Sequence, residues 1–579
     1  MIDELTILVG GIQGEGIISI GINLMKVLSS LGYYTYGQRT FSSRIKGGNT
    51  TMIIHVSLEK TMAIPDTIDM MLVLDEETLK DNYHRLDNNG LILYDNILSL
   101  KSTLPEKATA IPLPVSKISK EEGSALMKST CSLGFICRML DINQKHVSSI
   151  LIKRFHKKGK KIINQNLQIL ERVFTYDKET IDQYIKHLNI PMKELNRPLM
   201  IGNDSIAFGA LMAGCRFVSS YPITPASEIM EYLGKCLPSY GGLMLQVEDE
   251  IAAVNMTIGA SFAGVRSITA TSGPGLSLML EGIGLAGMTE TPLVVVNSQR
   301  VGPSTGLPTK HEQSDLFTLY YGGHGEFPLI ILSPSTIEDC FHSTIRAFNL
   351  AEKFQCPVIL LLDLTLSLSP QTIDEFSYED IVLNRGKLVE ESDLRQEAEG
   401  VKPYLLTEDG ISPRILPGVL NGHHHITGLE HNEFGLPTDN PLNRRLMMEK
   451  RMQKLQPLLE EDEIVIRMNN KKNILFLTFG SPYGILERAV AVTGSTVDYG
   501  YIKMIKPLPK KQLIQIIKDY DLLVIVENNY SQQLATIIKA EIGNHNKIKS
   551  ISKYDGTPFT VSEIIDGIEV LINEKYEGL

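Results

Sequence analysis

Apolar positions in this chain fall into short, often β-branched runs separated by longer amphipathic or small-residue stretches. Runs at 5–9, 50–56, 69–74, 90–94 and 108–112 are too short for buried helices and read as strands, with an apolar helix over 17–31. A linker at 186–191 follows. Beyond it a second series places strands at 217–221, 267–271, 292–297 and 357–361, with small-residue helices at 207–213 and from residue 250. A third series has strands at 473–478 and 522–526. Strands alternating with helices predict an α/β fold of sheets covered by helices. Residues 386–465 are less regular and highly charged, with an amphipathic helix at 446–455. The expected domains are 1–190, 197–385 and 466–579, with 386–465 as a connecting segment. A chain of 579 residues is long enough for several such cores.

Composition then removes whole function classes. A formal net charge of −11 argues against a broad nucleic-acid-binding surface. No apolar run reaches the ~18 residues of a membrane span. The start, MIDELTILVGG, carries acids where a signal peptide needs a basic segment. Six cysteines (Cys131, Cys137, Cys215, Cys236, Cys340 and Cys356) are scattered without a CxxC pair. That spacing supports neither an iron–sulfur cluster nor a structural zinc in this chain, and it points to a reducing, cytoplasmic setting.

The richest stretch is QVEDEIAAVNMTIGASFAGVRSITATSGPG, residues 246–275. It reads as an acid cluster, a helix of small residues, a strand and a tight turn. Small residues at Ala252, Ala253, Gly259 and Ala260 let a backbone or flat ligand approach closely. A carboxylate at the mouth of such a helix is either buried, and then raised in pKa and able to donate a proton, or one of several surface acids favoured at a helix N-terminus. Upstream, Tyr221-Pro222-Ile223-Thr224-Pro225 makes a rigid turn after a strand. It presents the Thr224 hydroxyl to cap the next helix or to contact a ligand. The run 292–297 delivers Gln299 and Arg300 at its carboxyl end, where α/β sheets place ligands. A loop rich in Gly, Pro and hydroxyls follows, Val301 to Thr309. Near the N-terminus, Gly10-Gly11-Ile12-Gln13-Gly14-Glu15-Gly16 between strand and helix is either a phosphate cradle or a turn serving helix–sheet packing. Its spacing is not GxGxxG, and no acid closes a strand about twenty residues on, which argues against a dinucleotide. Residues 38–49, with Arg39, Arg44, Lys46 and the Gly47-Gly48 pair, read either as a loop that grips a phosphorylated ligand or a partner, or as a solvated basic loop. His423, His424 and His425 lack ligand spacing and read as a polar loop.

Together these residues resemble the 2-oxoacid:ferredoxin oxidoreductases, in the form of an α subunit with a γ-type region fused ahead of it. The most specific element is the intact YPITP motif at 221–225. Support comes from Thr271-Ser272-Gly273-Pro274-Gly275, from GPSTGLPT at 302–309 and from TEDGISPR at 407–414. The stretch YIKMIKPLP at 501–509 resembles a transketolase C-terminal domain. The N-terminal glycines resemble the γ region's GxGGQG and depart from it at Val9 and Ile12.

The resemblance implies three α/β domains: γ-type, pyrimidine-binding and transketolase C-terminal-like. It implies thiamine diphosphate chemistry and an activating glutamate. Of the three acids only Glu250 fits the family's ExAAxxxxxG spacing, ending on Gly259, and its carboxyl would hold N1′ of the aminopyrimidine. Thr224, Arg300 and Thr309 are implied as ligands of the substrate carboxylate. Tyr221, Pro222, Ile223, Pro225, Ser272, Gly273, Pro274 and Gly275 are implied around the cofactor. Gly11, Gly14, Gly16, Arg44, Lys46, Gly47 and Gly48 are implied as a coenzyme A dock. The chain has no GDG stretch and no cysteine cluster. A separate β subunit is therefore expected to supply Mg2+, diphosphate binding and a [4Fe-4S] cluster, in an α2β2 enzyme that reduces ferredoxin. The layout favours 2-oxoglutarate. A pyruvate or branched-chain enzyme, or a non-catalytic scaffold or regulatory subunit, are the alternatives.

Overall fold

In a computed structural model of the protein, residues 2–41, 48–98, 108–192, 195–379, 381–389, 401–467, 473–494, 497–543 and 546–577 are described. They form two compact units. One comprises Met1–Ile201, Ser369–Phe376 and Thr560–Leu579, and the other Gly202–Leu368 and Ser377–Phe559.

The first unit is built on an eight-stranded sheet. Thr109–Leu113, Leu86–Asp95, Ile68–Val73 and Glu4–Ile12 run parallel in that spatial order. Asn49–Ser57 and Tyr34–Phe41 then continue the sheet antiparallel. The second of these runs through Gln38, Arg39 and Thr40, so the basic loop expected at 38–49 is shorter than its composition suggests. Long polar side chains stand on a strand whose backbone pairs fully with Asn49–Ser57. Two short strands close that edge, Gln371–Thr372 and Leu199–Met200.

The second unit holds a seven-stranded and a five-stranded sheet. In the larger, the order is Met504–Lys506, Ile330–Leu332, Pro357–Asp363, Leu293–Gln299, Ser267–Thr271, Phe217–Ser220 and Leu243–Gln246. All neighbours are parallel except the first pair. From Phe217–Ser220 the chain goes outward to Leu243–Gln246, then returns to the other side at Ser267–Thr271. That reversal opens a crevice at the carboxyl ends of these two strands, where α/β sheets bind ligands. The five-stranded sheet repeats the device. Its strand Ile474–Thr478 lies between Asp498–Ile502 and Leu522–Glu527. One apolar core joins the two sheets, with Val295, Ile331 and Leu361 from the larger and Leu477, Ile502 and Ile525 from the smaller. Burying each such side chain contributes about 1.5–3 kcal/mol, so strands facing both ways into helices read as unbroken apolar runs.

Candidate functional site

The crevice of the seven-stranded sheet gathers the turns singled out in the sequence. Ser220 Oγ donates to the Ala270 carbonyl (2.9 Å), tying the ends of the two strands that frame it. The 221–225 turn leaves the first strand. Asn203, wholly buried on the helix Gly202–Met212, donates from Nδ2 to the Pro225 carbonyl (2.6 Å) and holds that turn down. The following helix, Ser227–Cys236, begins at Ala226 with no side-chain cap, so Thr224 does not cap it. Thr224 is an exposed residue.

Glu250 opens the helix Glu250–Phe262. Asp249 caps that helix, accepting from the Ala252 amide at 2.7 Å, while the Glu250 side chain turns inward and is only 6% exposed. The helix ends at Phe262, and Gly264 just beyond it (φ +94°) takes a left-handed position suited to glycine. Glu250 lies against the first turn of the next helix, Gly273–Met288. A Cβ at Gly275 would fall 2.5 Å from Glu250 Oε1, 2.6 Å from its Cγ and 2.1 Å from Thr271 Oγ1. The glycine is required because the acid's side chain occupies the space a Cβ would need.

Arg300 follows the strand Leu293–Gln299 and is 7% exposed. Its Nη1 donates to the Thr224 carbonyl (2.7 Å), joining the third strand end to the 221–225 turn. Burial lowers the guanidinium's pKa, against the pull of Asp315. The loop after Arg300 doubles back: the Val301 amide donates to the Lys310 carbonyl (3.2 Å) and the Leu307 amide to the Val301 carbonyl (3.2 Å). Gly306 (φ +52°) makes this possible, since a Cβ there would lie 2.2 Å from the Val301 oxygen. The return brings Thr309 and Lys310 beside Val301. Arg300 Nε and the hydroxyls of Thr309 and Ser272 are buried without a partner. A native fold seldom leaves such atoms unpaired unless a ligand or water meets them.

Several residues of this site were not singled out in the sequence. Asp315 accepts from Asn297 Nδ2 (2.9 Å), and its own amide donates to Gln299 Oε1 (3.1 Å). Burial pushes its carboxyl up to about 6, although Asn297 and Arg300 both pull it down. Gln313 reaches the second crevice, donating from Nε2 to Asp363 (3.0 Å) and to the Phe479 carbonyl (2.8 Å) and accepting from the Asn528 amide (3.0 Å). Their only local signal is position after a strand end; their partners lie far off in sequence.

In the first unit, Gly11, Gly14, Gly16 and Gly48 come together at one turn, where the Gln13 amide donates to the Gly48 carbonyl (3.0 Å). Gly14 and Gly16 have φ of +103° and +83°, and a Cβ at Gly11 would press on Ile17, Leu74 and Glu15. Glu15 stands at this helix start and pairs with Lys128 at 3.0 Å. Arg44, Lys46 and Gly47 lie outside the described residues.

A buried acid, the small residues of the helix it opens and a buried guanidinium thus lie at the strand ends of one sheet. Residues 208–451 match the family described as pyruvate flavodoxin/ferredoxin oxidoreductase, thiamine diphosphate-binding. Residues 6–176 match pyruvate ferredoxin/flavodoxin oxidoreductase. The α subunit of a Sulfolobus 2-oxoacid:ferredoxin oxidoreductase is 32% identical, covering 99% of this chain and 97% of its own. The 2-oxoglutarate synthase subunit KorA of Methanothermobacter thermautotrophicus is 35% identical over 63% of this chain and 96% of its own. A solved 2-oxoglutarate:ferredoxin oxidoreductase from Magnetococcus marinus, with 2-oxoglutarate, coenzyme A and succinyl-CoA bound, superposes with TM-score 0.90 at 35% identity, covering 98% of this chain and 99% of that one. The chain belongs to the 2-oxoacid:ferredoxin oxidoreductase family.

Proposed function

We propose that this chain is the α subunit of a 2-oxoglutarate:ferredoxin oxidoreductase, converting 2-oxoglutarate and coenzyme A to succinyl-CoA and CO2 with two electrons passed to ferredoxin. The observation that carries it is the Glu250 carboxyl, buried at a helix start and seated against Gly275. The residues fit the pyrimidine half of thiamine diphosphate: an enclosed acid, a glycine that clears space for it, and unpaired buried donors nearby. When bound, the cofactor supplies the carbon nucleophile and the electron sink for decarboxylation.

Glu250, buried at the start of its helix, would hold the aminopyrimidine ring of the bound cofactor through its carboxyl. The turn at Tyr221, Pro222, Ile223 and Pro225, with Ser272, Gly273, Pro274 and Gly275, walls the ring in. Arg300 offers a planar fork to the substrate carboxylate, with the hydroxyls of Thr224 and Thr309 as further donors. A β subunit completes the site with diphosphate and Mg2+ binding and carries the [4Fe-4S] cluster, in an α2β2 assembly. Among the described residues there is no metal-binding group of His, Cys, Asp or Glu and no helix long and apolar enough to cross a membrane. Five of the six cysteines are buried as free thiols, which suits the cytoplasm. Coenzyme A docks at the glycine turn of the first unit and the basic segment after it.

Glu250→Gln tests the assignment. Purified with its partner subunit, the variant should reduce viologen with 2-oxoglutarate and coenzyme A roughly 100- to 10,000-fold more slowly, the range for loss of a general acid–base group. Near-full turnover would overturn the assignment. Faster turnover on pyruvate than on 2-oxoglutarate would leave the chemistry and overturn the substrate.

A further inference from the structure

The stretch TEDGISPR at 407–414 closes against the tail of the helix that Glu250 opens. Gln355 Nε2 donates to the Ser412 carbonyl (2.7 Å) and the Arg414 amide to the Lys387 carbonyl (2.8 Å), so the backbone on both sides of Pro413 is held. From there the Arg414 fork bridges two partners. Its Nη2 donates to the Ser261 carbonyl, in the last turn of the Glu250–Phe262 helix (2.6 Å), and its Nη1 donates to Glu352 Oε1 (3.1 Å). Arg385 makes a parallel link, donating from Nη2 to the Gly264 carbonyl (2.8 Å) and pairing with Glu352 (2.8 Å). Glu352 is 3% exposed, near the end of the helix Ile337–Phe354, and its Oε2 accepts from Arg266 Nε (2.8 Å). Arg266 directly precedes the strand Ser267–Thr271. The guanidiniums outnumber the carboxylate, and the surplus charge faces carbonyls just at or beyond helix ends, those of Ala213, Ser261 and Gly264, where cations are favoured.

We infer that Arg414, anchored on Glu352, is a positioning residue for the Glu250 carboxyl. The inference rests on Glu250 as the acid that holds the cofactor's ring. One buried carboxylate, Glu352, ties together the tail of the Glu250 helix and the head of the strand Ser267–Thr271. The other ends of these two elements meet at the site, where Glu250 lies against Thr271 and Gly275. There is no slack at that meeting: a Cβ on Gly275 would fall 2.5 Å from Glu250 Oε1 and 2.1 Å from Thr271 Oγ1. The helix of 13 residues spans about 20 Å and the strand of five about 17 Å, so the two act as stiff rods of similar length. Val254 seats against Gly282, but Ala252, Ala253, Gly259, Ala260 and Ser261 give much of the helix a surface of short side chains that interlock weakly. Its place along its own axis therefore depends on how its ends are held. Asp249 holds the head, and Arg414 with Arg385 holds the tail. Releasing the tail lets the helix shift against the strand, and the Glu250 carboxyl shifts with it.

The test uses Arg414→Met in the α chain purified with its partner subunit. The change removes the bridge but leaves Glu352 two guanidiniums, so no buried charge is stranded. Turnover at saturating 2-oxoglutarate and coenzyme A should fall about 10- to 100-fold, as for a misplacement approaching an ångström. Affinity for thiamine diphosphate, measured by equilibrium dialysis, gives a reading independent of turnover and should weaken by up to about tenfold, the share of one hydrogen bond. A double-mutant cycle with Gly275→Ala, which displaces the same carboxyl from its other side, separates positioning from mere stability. Independent losses of turnover multiply to within about twofold, whereas losses that act through one carboxyl should fall short of the product by about fivefold or more. Multiplying losses overturn the inference, and so does a folded Arg414→Met with native turnover and native cofactor affinity. If Arg414→Met does not fold, Arg414→Lys, which keeps the charge without the fork, is read by the same cycle. Glu250→Gln keeps the two readings apart. If it retains turnover, the assignment of Glu250 fails and the inference falls with it; if it loses turnover while the cycle multiplies, the inference alone falls.

Discussion

Gly275→Ala is the most discriminating single change at this site. The position lies in the first turn of the Gly273–Met288 helix with ordinary helical backbone, so alanine should gain ~1 kcal/mol of helix propensity. The added methyl would instead sit 2.1 Å from Thr271 Oγ1 and 2.5–2.6 Å from Glu250 Oε1 and Cγ, far inside contact distance. Overpacking of this kind costs ~1–3 kcal/mol, leaving a net loss of about 0–2 kcal/mol, too little to unfold the protein. The Glu250 carboxyl must move by about an ångström, and a misplacement of that size costs roughly 100-fold in rate. The assay is viologen reduction with 2-oxoglutarate and coenzyme A, read beside a thermal melt. A thermal midpoint near the native one with turnover down by about two orders is expected. A folded variant with native turnover would refute the reasoning, since it would mean that the position of the Glu250 carboxyl does not matter.

Two further predictions concern what holds the second unit together. Glu290 lies buried between Lys450 (2.6 Å), on the helix Pro441–Gln453 within the charged connecting segment, and Lys454 (2.8 Å), which caps that helix. Burial alone would raise the Glu290 carboxyl, but Lys454 and Lys450 hold it down to about 2. Glu290→Gln should cost ~3 kcal/mol by stranding two ammonium groups, measured by denaturant titration, while KM for 2-oxoglutarate stays within about twofold. A carboxyl depressed in this way stabilises fully above its ordinary 4.5, and the native protein should lose this contribution as pH falls from there towards 2. A denaturation midpoint flat over that range would contradict it. Gln313→Ala removes the bonds to Asp363, the Phe479 carbonyl and the Asn528 amide. Leaving those buried groups unmet should cost ~2–4 kcal/mol and raise protease sensitivity after residue 480; an unchanged melt would speak against it.

Much of the fold was legible because it is local. Apolar runs marked the central strands of all three sheets, whereas the choice of Glu250 over Glu248 and Asp249 came from the family resemblance and its ExAAxxxxxG pattern. Asp249 reads in structure as the cap of the same helix. Strand Tyr34–Phe41 was hidden because its exposed face carries polar and basic side chains, and a half-exposed strand shows only alternation. Asp315 and Gln313 were hidden for a different reason. Asp315 meets Asn297 18 positions away, and Gln313 meets Asn528 across 215.

The sequence alone determined the α/β class, the strand-end turns and the residue types with the chemistry for the reaction, because hydrophobic period and turn composition are properties of neighbouring residues. Only the tertiary structure decided that the Glu250 side chain fills the space a Cβ at Gly275 would need and that the Asp315 carboxyl lies against Asn297 and Gly273. It also decided that Ser369–Phe376 and Thr560–Leu579 pack with the first unit although they lie far along the chain. Those facts depend on which surfaces meet once the apolar faces are buried, and no local pattern in the chain encodes that meeting.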